Sequence, residues 1–104
     1  MLNADRYIRQ LPLIGVEGQR RLRGSSVLVV GLGGLGSIIS MYLAGAGVGK
    51  LVLVDFDTVS ISDLHRQLLY TTNDVGRPKV EIAEKRLREI NPEVELRGIG
   101  WLRT

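Results

Sequence analysis

The apolar run Val27-Leu28-Val29-Val30 leads without a break into Gly31-Leu32-Gly33-Gly34-Leu35-Gly36. No other feature constrains the fold as strongly. A continuous β-branched run predicts a strand buried on both faces. Gly31, Gly33 and Gly36 then fit the spacing G-x-G-x-x-G. In that pattern the first glycine permits a tight turn and the second lets a phosphate approach the backbone. The third lets a helix pack closely on its strand. Behind the glycines, Leu35, Ile38, Ile39, Tyr42, Leu43 and Ala46 fall at the spacing of one apolar helix face, and Gly47 is the expected cap. The start of such a helix presents unpaired N–H groups and a partial positive charge to an anion.

The remaining chain extends this unit. Leu51 to Val54 predicts a second buried strand ending at Asp55, followed by a loop from Phe56 to about Ser62. Gly76-Arg77-Pro78 introduces a second long helix, with Pro78 in its first turn, and Val80, Ala83, Leu87 and Ile90 mark its buried face. Asn91-Pro92 stops it, and Val94 to Ile99 predicts a third strand. Ahead of everything, Val16 to Arg23 reads as a short basic helix closed by Gly24. The order β-α-β-α-β, with right-handed crossovers, predicts an α/β fold: a Rossmann-like parallel sheet, half of a doubly wound domain, preceded by a short N-terminal helical arm. With 104 residues there is room for a single domain, divided here into an arm (1–24) and a nucleotide-binding unit (25–104).

Composition narrows the function. The 44% hydrophobic share is that of a globular chain. The net charge is +3, and Lys and Arg cluster at Arg20, Arg21 and Arg23 and again between Arg77 and Arg88; the first cluster reads as a solvated basic face. With 5% aromatic residues a base-stacking platform is not expected, so no nucleic-acid partner is assigned. The absence of cysteine excludes disulfides, thiolate zinc sites and a cysteine nucleophile within these residues. The stretch Met1 to Arg6 lacks the apolar core of a signal peptide and no apolar run reaches spanning length, so a cytoplasmic location with no membrane association is expected.

Asp55, at the tip of the second strand, stands where a nucleotide fold places its ribose-binding acid. Asp57 is a second candidate, with a turn role preferred. To this point NAD and ATP are equally good ligands, and an NAD-dependent oxidoreductase fragment is one alternative. Ser62-Asp63-Leu64-His65-Arg66-Gln67 begins to separate them, because Arg66 offers a planar fork for phosphate oxygens and Gln67 supplements it. Arg77 and Lys79 are placed in the first turn of a helix, where the macrodipole disfavours cations. A bound polyphosphate reverses that sign, which makes Lys79 a phosphate candidate. His65, the only histidine, lacks an acid at useful spacing and is not assigned as a base. Trp101, Met41 and the tyrosines read as packing.

Taken together, Arg6-Tyr7-Ile8-Arg9-Gln10, Gly18-Gln19, the Gly31 to Gly36 loop, Ala46-Gly47-Val48-Gly49, Asp55-Phe56-Asp57, Leu64-His65-Arg66-Gln67, Val75-Gly76-Arg77-Pro78-Lys79 and Ile90-Asn91-Pro92 make the chain closely resemble the MoeB/ThiF family, relatives of the ubiquitin-activating enzymes. The resemblance implies a dimeric α/β enzyme that uses ATP and magnesium to adenylate the C-terminal glycine of a small ubiquitin-like sulfur carrier of the MoaD or ThiS kind. It implies that the loop of Gly31, Gly33, Gly34 and Gly36 cradles the nucleotide and that Asp55 holds the ribose. Arg66 and Lys79 would bind the polyphosphate with Gln67 in the same shell, and Arg9 would reach the partner subunit's phosphates across a homodimer. The family usually has Asn where this chain has Asp63. An ionised carboxylate there repels phosphate, so Asp63 is expected either to recruit a cation or to lower activity. The family's metal-binding Asp, second half-sheet and any zinc or sulfur-handling cysteines lie beyond Thr104. The metal ligands are therefore unassigned, and zinc is expected only if a further segment supplies cysteines. The sequence is expected to be an N-terminal fragment or truncated gene product. A non-catalytic nucleotide-binding or dimerisation module is the other alternative.

Overall fold

The structure is a computed structural model and describes residues 5–65 and 67–100. It contains helix α1 (Leu11–Arg23), strand β1 (Ser26–Val30), helix α2 (Gly34–Ala46), strand β2 (Lys50–Val54), helix α3 (Lys79–Ile90) and strand β3 (Glu95–Ile99). Two single 3-10 turns, Ile61–Asp63 and Thr72–Asp74, lie in the long connection between β2 and α3. The three strands form one parallel sheet in the order β1-β2-β3, with Val29 beside Leu53 and Leu53 beside Gly98. This is the expected α/β Rossmann-like arrangement. No helix among the described residues is long and apolar enough to cross a membrane.

Successive strands add in one direction, and right-handed crossovers then carry both connecting helices over the same face. Helices α2 and α3 pack against each other and against the sheet. The covered face holds Val29, Leu51 and Leu53, which join Val80, Ala83 and Leu87 of α3 in the core. On the opposite face, Leu28 and Val30 of β1 are 62% and 73% exposed among the described residues. The expectation that β1 is buried on both faces is therefore corrected. Its alternate residues point away from both helices, and β1 is also an edge of this sheet.

Helix α2 corrects a second expectation in part, since Leu43 packs against the core but Leu35, Ile39 and Tyr42 do not. Its buried residues are Ser37, Ser40 and Ala44, while Leu35 and Tyr42 are 74% and 77% exposed. The cause is close approach. A Cβ on Gly36 would stand 1.7 Å from the carbonyl oxygen of Gly31, so the helix lies almost on the loop beneath it. Only small side chains fit that contact; Met41 and Leu43 still pack against the core, while Leu35 and Tyr42 turn outward. Ser40 satisfies its hydroxyl within the helix, donating to the Gly36 carbonyl at 2.7 Å. Gly47 caps the helix with φ 93, its N–H reaching Ala44 while Val48 reaches back to Leu43. That is the paired bonding of a Schellman end.

Other boundaries shift slightly. Pro78 is the N-cap of α3 rather than a first-turn residue, and Arg77 precedes the helix. Pro78 has an extended ψ of 133, which keeps it outside the helix while costing no backbone donor. Ile90, expected on the buried face, is exposed at the helix end. The basic helix begins earlier than Val16, at Leu11, because Pro12 suits a first turn and Gly15, at φ 73, allows a break within it. The arm is tied down firmly. Tyr7 is buried against Gly47, its hydroxyl donates to Glu93 and accepts from Asn91, and Gln19 donates to the Ala46 carbonyl. Trp101 lies outside the described residues.

Candidate functional site

Strands β1 and β2 end side by side, and the loops leaving their C-terminal tips form the candidate site. Gly31 turns the chain with φ 92, its N–H donating to Val54 at 2.7 Å. Gly33 then caps α2 in an extended conformation, and Gly34 opens the helix. Beside this loop an open cavity of about 270 Å³ is lined by Val30, Gly31, Val54, Asp55, Phe56 and Asp57.

Asp55 is half-buried and linked to the glycine loop. Its Oδ2 accepts from the Leu32 N–H at 2.6 Å and its Oδ1 from the Asp57 N–H at 2.8 Å. Each oxygen keeps a further lone pair, so the carboxylate can brace the loop and still accept from a hydroxyl. Asp57 is exposed, and it is its backbone that contributes: its carbonyl accepts from the N–H of Lys79 at 3.0 Å.

A second group converges from the β2–α3 connection. Lys79, the first residue of α3, is 6% exposed, and its Nζ lies 3.5 Å from Oδ2 of Asp63, itself 8% exposed. Asp63 also accepts from the Ser60 backbone N–H at 2.9 Å and from Gln67 Nε2 at 3.0 Å. The Ser60 N–H is the main influence that holds the Asp63 carboxyl below its ordinary range, assisted by Lys79 and opposed by burial. A buried cation at a helix N-terminus is unfavourable in isolation. Asp63 supplies the compensating charge. The sequence expectation that Asp63 acts on a bound phosphate or cation omitted this internal partner.

The two groups meet through Tyr70 and Gln67. Tyr70 is buried and donates its hydroxyl to the Leu32 carbonyl at 2.6 Å, with Lys79 Nζ 5.8 Å from its ring centre. Burial, reinforced by the charges of Asp55 and Asp63, pushes the phenol well above its ordinary range, so it remains a donor. Gln67 Nε2 stands 4.0 Å from the position a Cβ on Gly33 would take. Its Oε1 is buried with no hydrogen-bond partner among the described residues.

Gly33, Asp55, Asp63, Gln67 and Lys79 therefore lie around one loop. Arg9, His65 and Arg77 are exposed, and Arg66 lies outside the described residues. Sequence reasoning missed two positioning groups. Tyr70 carried no signal beyond being aromatic. Ser60, however, stands three residues before Asp63, the spacing of a capping box, as Thr71 does before Asp74.

Among the described residues no three His, Cys, Asp or Glu side chains gather where a metal ion could be held. Asp55 is engaged by backbone donors and Asp63 by Lys79. The described residues do not by themselves make a magnesium site.

Comparison with known proteins is consistent across sequence and fold. The ThiF family matches residues 5–100. The chain is 50% identical over 96 residues to the sulfur carrier protein ThiS adenylyltransferase of Escherichia coli, covering 90% of this chain and 38% of that protein. It is 56% identical over 97 residues to the molybdopterin-synthase adenylyltransferase of Salmonella typhimurium, covering 91% and 39% respectively. Among solved structures, Escherichia coli tRNA N6-threonylcarbamoyladenosine dehydratase in complex with ATP superposes with a TM-score of 0.88 at 31% identity, over 92% of this chain and 40% of that one. The chain thus spans about two fifths of the length of each of these three proteins.

Proposed function

This chain belongs to the ThiF family, and from that membership we propose that it forms the ATP-binding half of an enzyme that adenylates the C-terminal glycine of a ubiquitin-like sulfur carrier. The observation that carries this reading is the buried ammonium of Lys79, paired with the Asp63 that Gln67 holds beside Gly33 of the glycine loop. The ribose hydroxyls would be taken by Asp55, and the phosphates by the N–H groups at the start of α2 and by Lys79, with Arg66 and Gln67 beside them. Asp57 contributes its backbone to that frame. The relatives' printed activities support a carrier of the ThiS or MoaD kind, and the ATP-bound neighbour supports the nucleotide. They do not favour an NAD-dependent oxidoreductase.

The chemistry needs no general base, because a terminal carboxylate is already ionised near neutral pH. One of its oxygens attacks the α-phosphorus, the bond to the bridging oxygen breaks, and pyrophosphate leaves with that electron pair. What the protein supplies is position and stabilisation of charge on the phosphate oxygens. Magnesium would accompany the nucleotide's phosphates. A homodimer, in which Arg9 reaches the partner's phosphates, completes the proposed site, and a cytoplasmic setting supplies its ATP.

Calorimetric titration of the chain with ATP and with NAD tests the ligand. ATP is expected to bind more tightly, and the reverse order would overturn the proposal. With the full-length protein, exchange of pyrophosphate into ATP should depend on a carrier ending in glycine.

A further inference from the structure

The N-terminal arm is fastened on both sides of one exposed cation, Arg9. Tyr7 to Gln10 form a single turn, closed by the Gln10 N–H donating to the Tyr7 carbonyl at 3.0 Å. At one end of that turn the Tyr7 ring lies against Gly47, and its hydroxyl donates to Glu93 Oε1 and accepts from Asn91 Nδ2, each at 2.9 Å. Asn91 is fully buried and donates from the same nitrogen to the Ala44 carbonyl at 2.8 Å, so the phenol is tied to the C-terminal ends of α2 and α3 together. At the other end Gln10 Nε2 donates to the Ala46 carbonyl at 2.7 Å. Burial pushes the Tyr7 phenol up, so it keeps the proton it donates. The place of the turn decides what Arg9 can serve. Helix α2 leaves the glycine loop and runs 13 residues, about 20 Å, before it reaches Ala46 and Gly47. Arg9, beside Gln10, therefore stands at the far end of the molecule from its own glycine loop.

We propose that Tyr7 is a positioning residue for adenylation: its hydroxyl, clasped by Asn91 and Glu93, fixes the turn that holds Arg9 out towards a second copy of this chain. The inference rests on the reading above, in which Arg9 meets the partner's phosphates, and adds the device that aims it. Neither Tyr7 nor its two partners belongs to the nucleotide site, so their action passes through Arg9. The gain is entropic. A loose arm would have to be ordered afresh whenever its cation met a phosphate, whereas a turn pinned at both ends has already been ordered by folding.

The test is a double-mutant cycle in the full-length protein, reading exchange of pyrophosphate into ATP with a ThiS-type carrier ending in glycine. Tyr7→Phe keeps the ring against Gly47 and removes the hydroxyl. It should slow exchange about tenfold, and should slow it no further once Arg9→Ala is present. A thermal melt of each variant checks that the fold persists at the assay temperature. If Tyr7→Phe does not fold, Gln10→Ala releases the other end of the turn and takes its place, with the same dependence on Arg9 expected. An unchanged rate in the variant would overturn the inference. So would slowing by the same factor with and without Arg9, which marks a merely structural role. If Arg9→Ala alone leaves the rate unchanged, the role of Arg9 falls and this inference with it, while the adenylation reading stands. Absence of exchange in the unaltered protein would defeat that reading and this inference together.

Discussion

Gly36 and Asp63 show how much a single position carries here. At Gly36 the conformation is ordinary, and it is the space that excludes a side chain, since a Cβ would stand 1.7 Å from the Gly31 oxygen. Neither partner can yield cheaply, because one is the backbone of the phosphate-facing loop and the other is the first turn of α2. Gly36→Ala is expected to destabilise by at least the 1–3 kcal/mol of typical overpacking, at about the upper end of that range. Urea denaturation would read the loss as a lower midpoint, and an unchanged midpoint would mean that the helix can slide. The G-x-G-x-x-G spacing alone predicted close packing at this glycine. Asp63 is the contrary case. Its residue type suggested a phosphate-repelling charge, and only the convergence of Ser60, Gln67 and Lys79 from separate turns revealed what the charge is opposed to.

The connection from β2 to α3 is held by two short turns, each closed by an acid that accepts its own N-cap N–H. In the second turn Asp74 also accepts from the Thr71 hydroxyl and from Arg86 of α3, anchoring the turn to the helix. Burial pushes the Asp74 carboxyl up, but the Thr71 and Arg86 interactions together outweigh it and hold the group below its ordinary range. A carboxyl whose folded value is depressed contributes stability that is complete above its unfolded value, about 3.9, and is lost as pH falls through the folded value. Chemical denaturation should therefore show stability falling below about pH 4, with Asp74→Asn flattening part of that slope. A slope identical in the variant would assign the acid sensitivity elsewhere. At pH 7, Asp74→Ala should cost about 1–2 kcal/mol through the lost cap. These turns were legible in principle from Ser60-x-x-Asp63 and Thr71-x-x-Asp74. They were obscured because neither precedes the long apolar-periodic run that normally draws attention to a cap.

Across the described residues the decisive fact is that α2 and α3 cover one sheet face and leave Leu28 and Val30 exposed on the other. Core positions and strand positions of equal hydrophobicity should then respond very differently to substitution. Leu53→Ala, at a site with no exposure, is expected to cost about 2–5 kcal/mol. Leu28→Thr and Val30→Thr, on the open face of β1, should each shift stability by about 0.5 kcal/mol or less. Thermal melts of the three variants would check this, and a large loss at Leu28 or Val30 would show that something covers that face in solution. The outward stripe of Leu35 and Tyr42 on α2 belongs to the same picture, for these side chains are displaced from the core by the small residues the close contact demands.

Sequence by itself determined the order of strands and helices, the glycine turn and the acid at the tip of β2, because each depends on local spacing, backbone conformation and the period of apolar residues. It also carried the family likeness, since ordered short motifs survive without coordinates. Tertiary structure alone decided which face of α2 is buried, which face of the sheet is bare, and that Lys79 and Asp63 neutralise each other. Those outcomes depend on distances between segments far apart in the chain, and no local pattern encodes how closely two such segments approach.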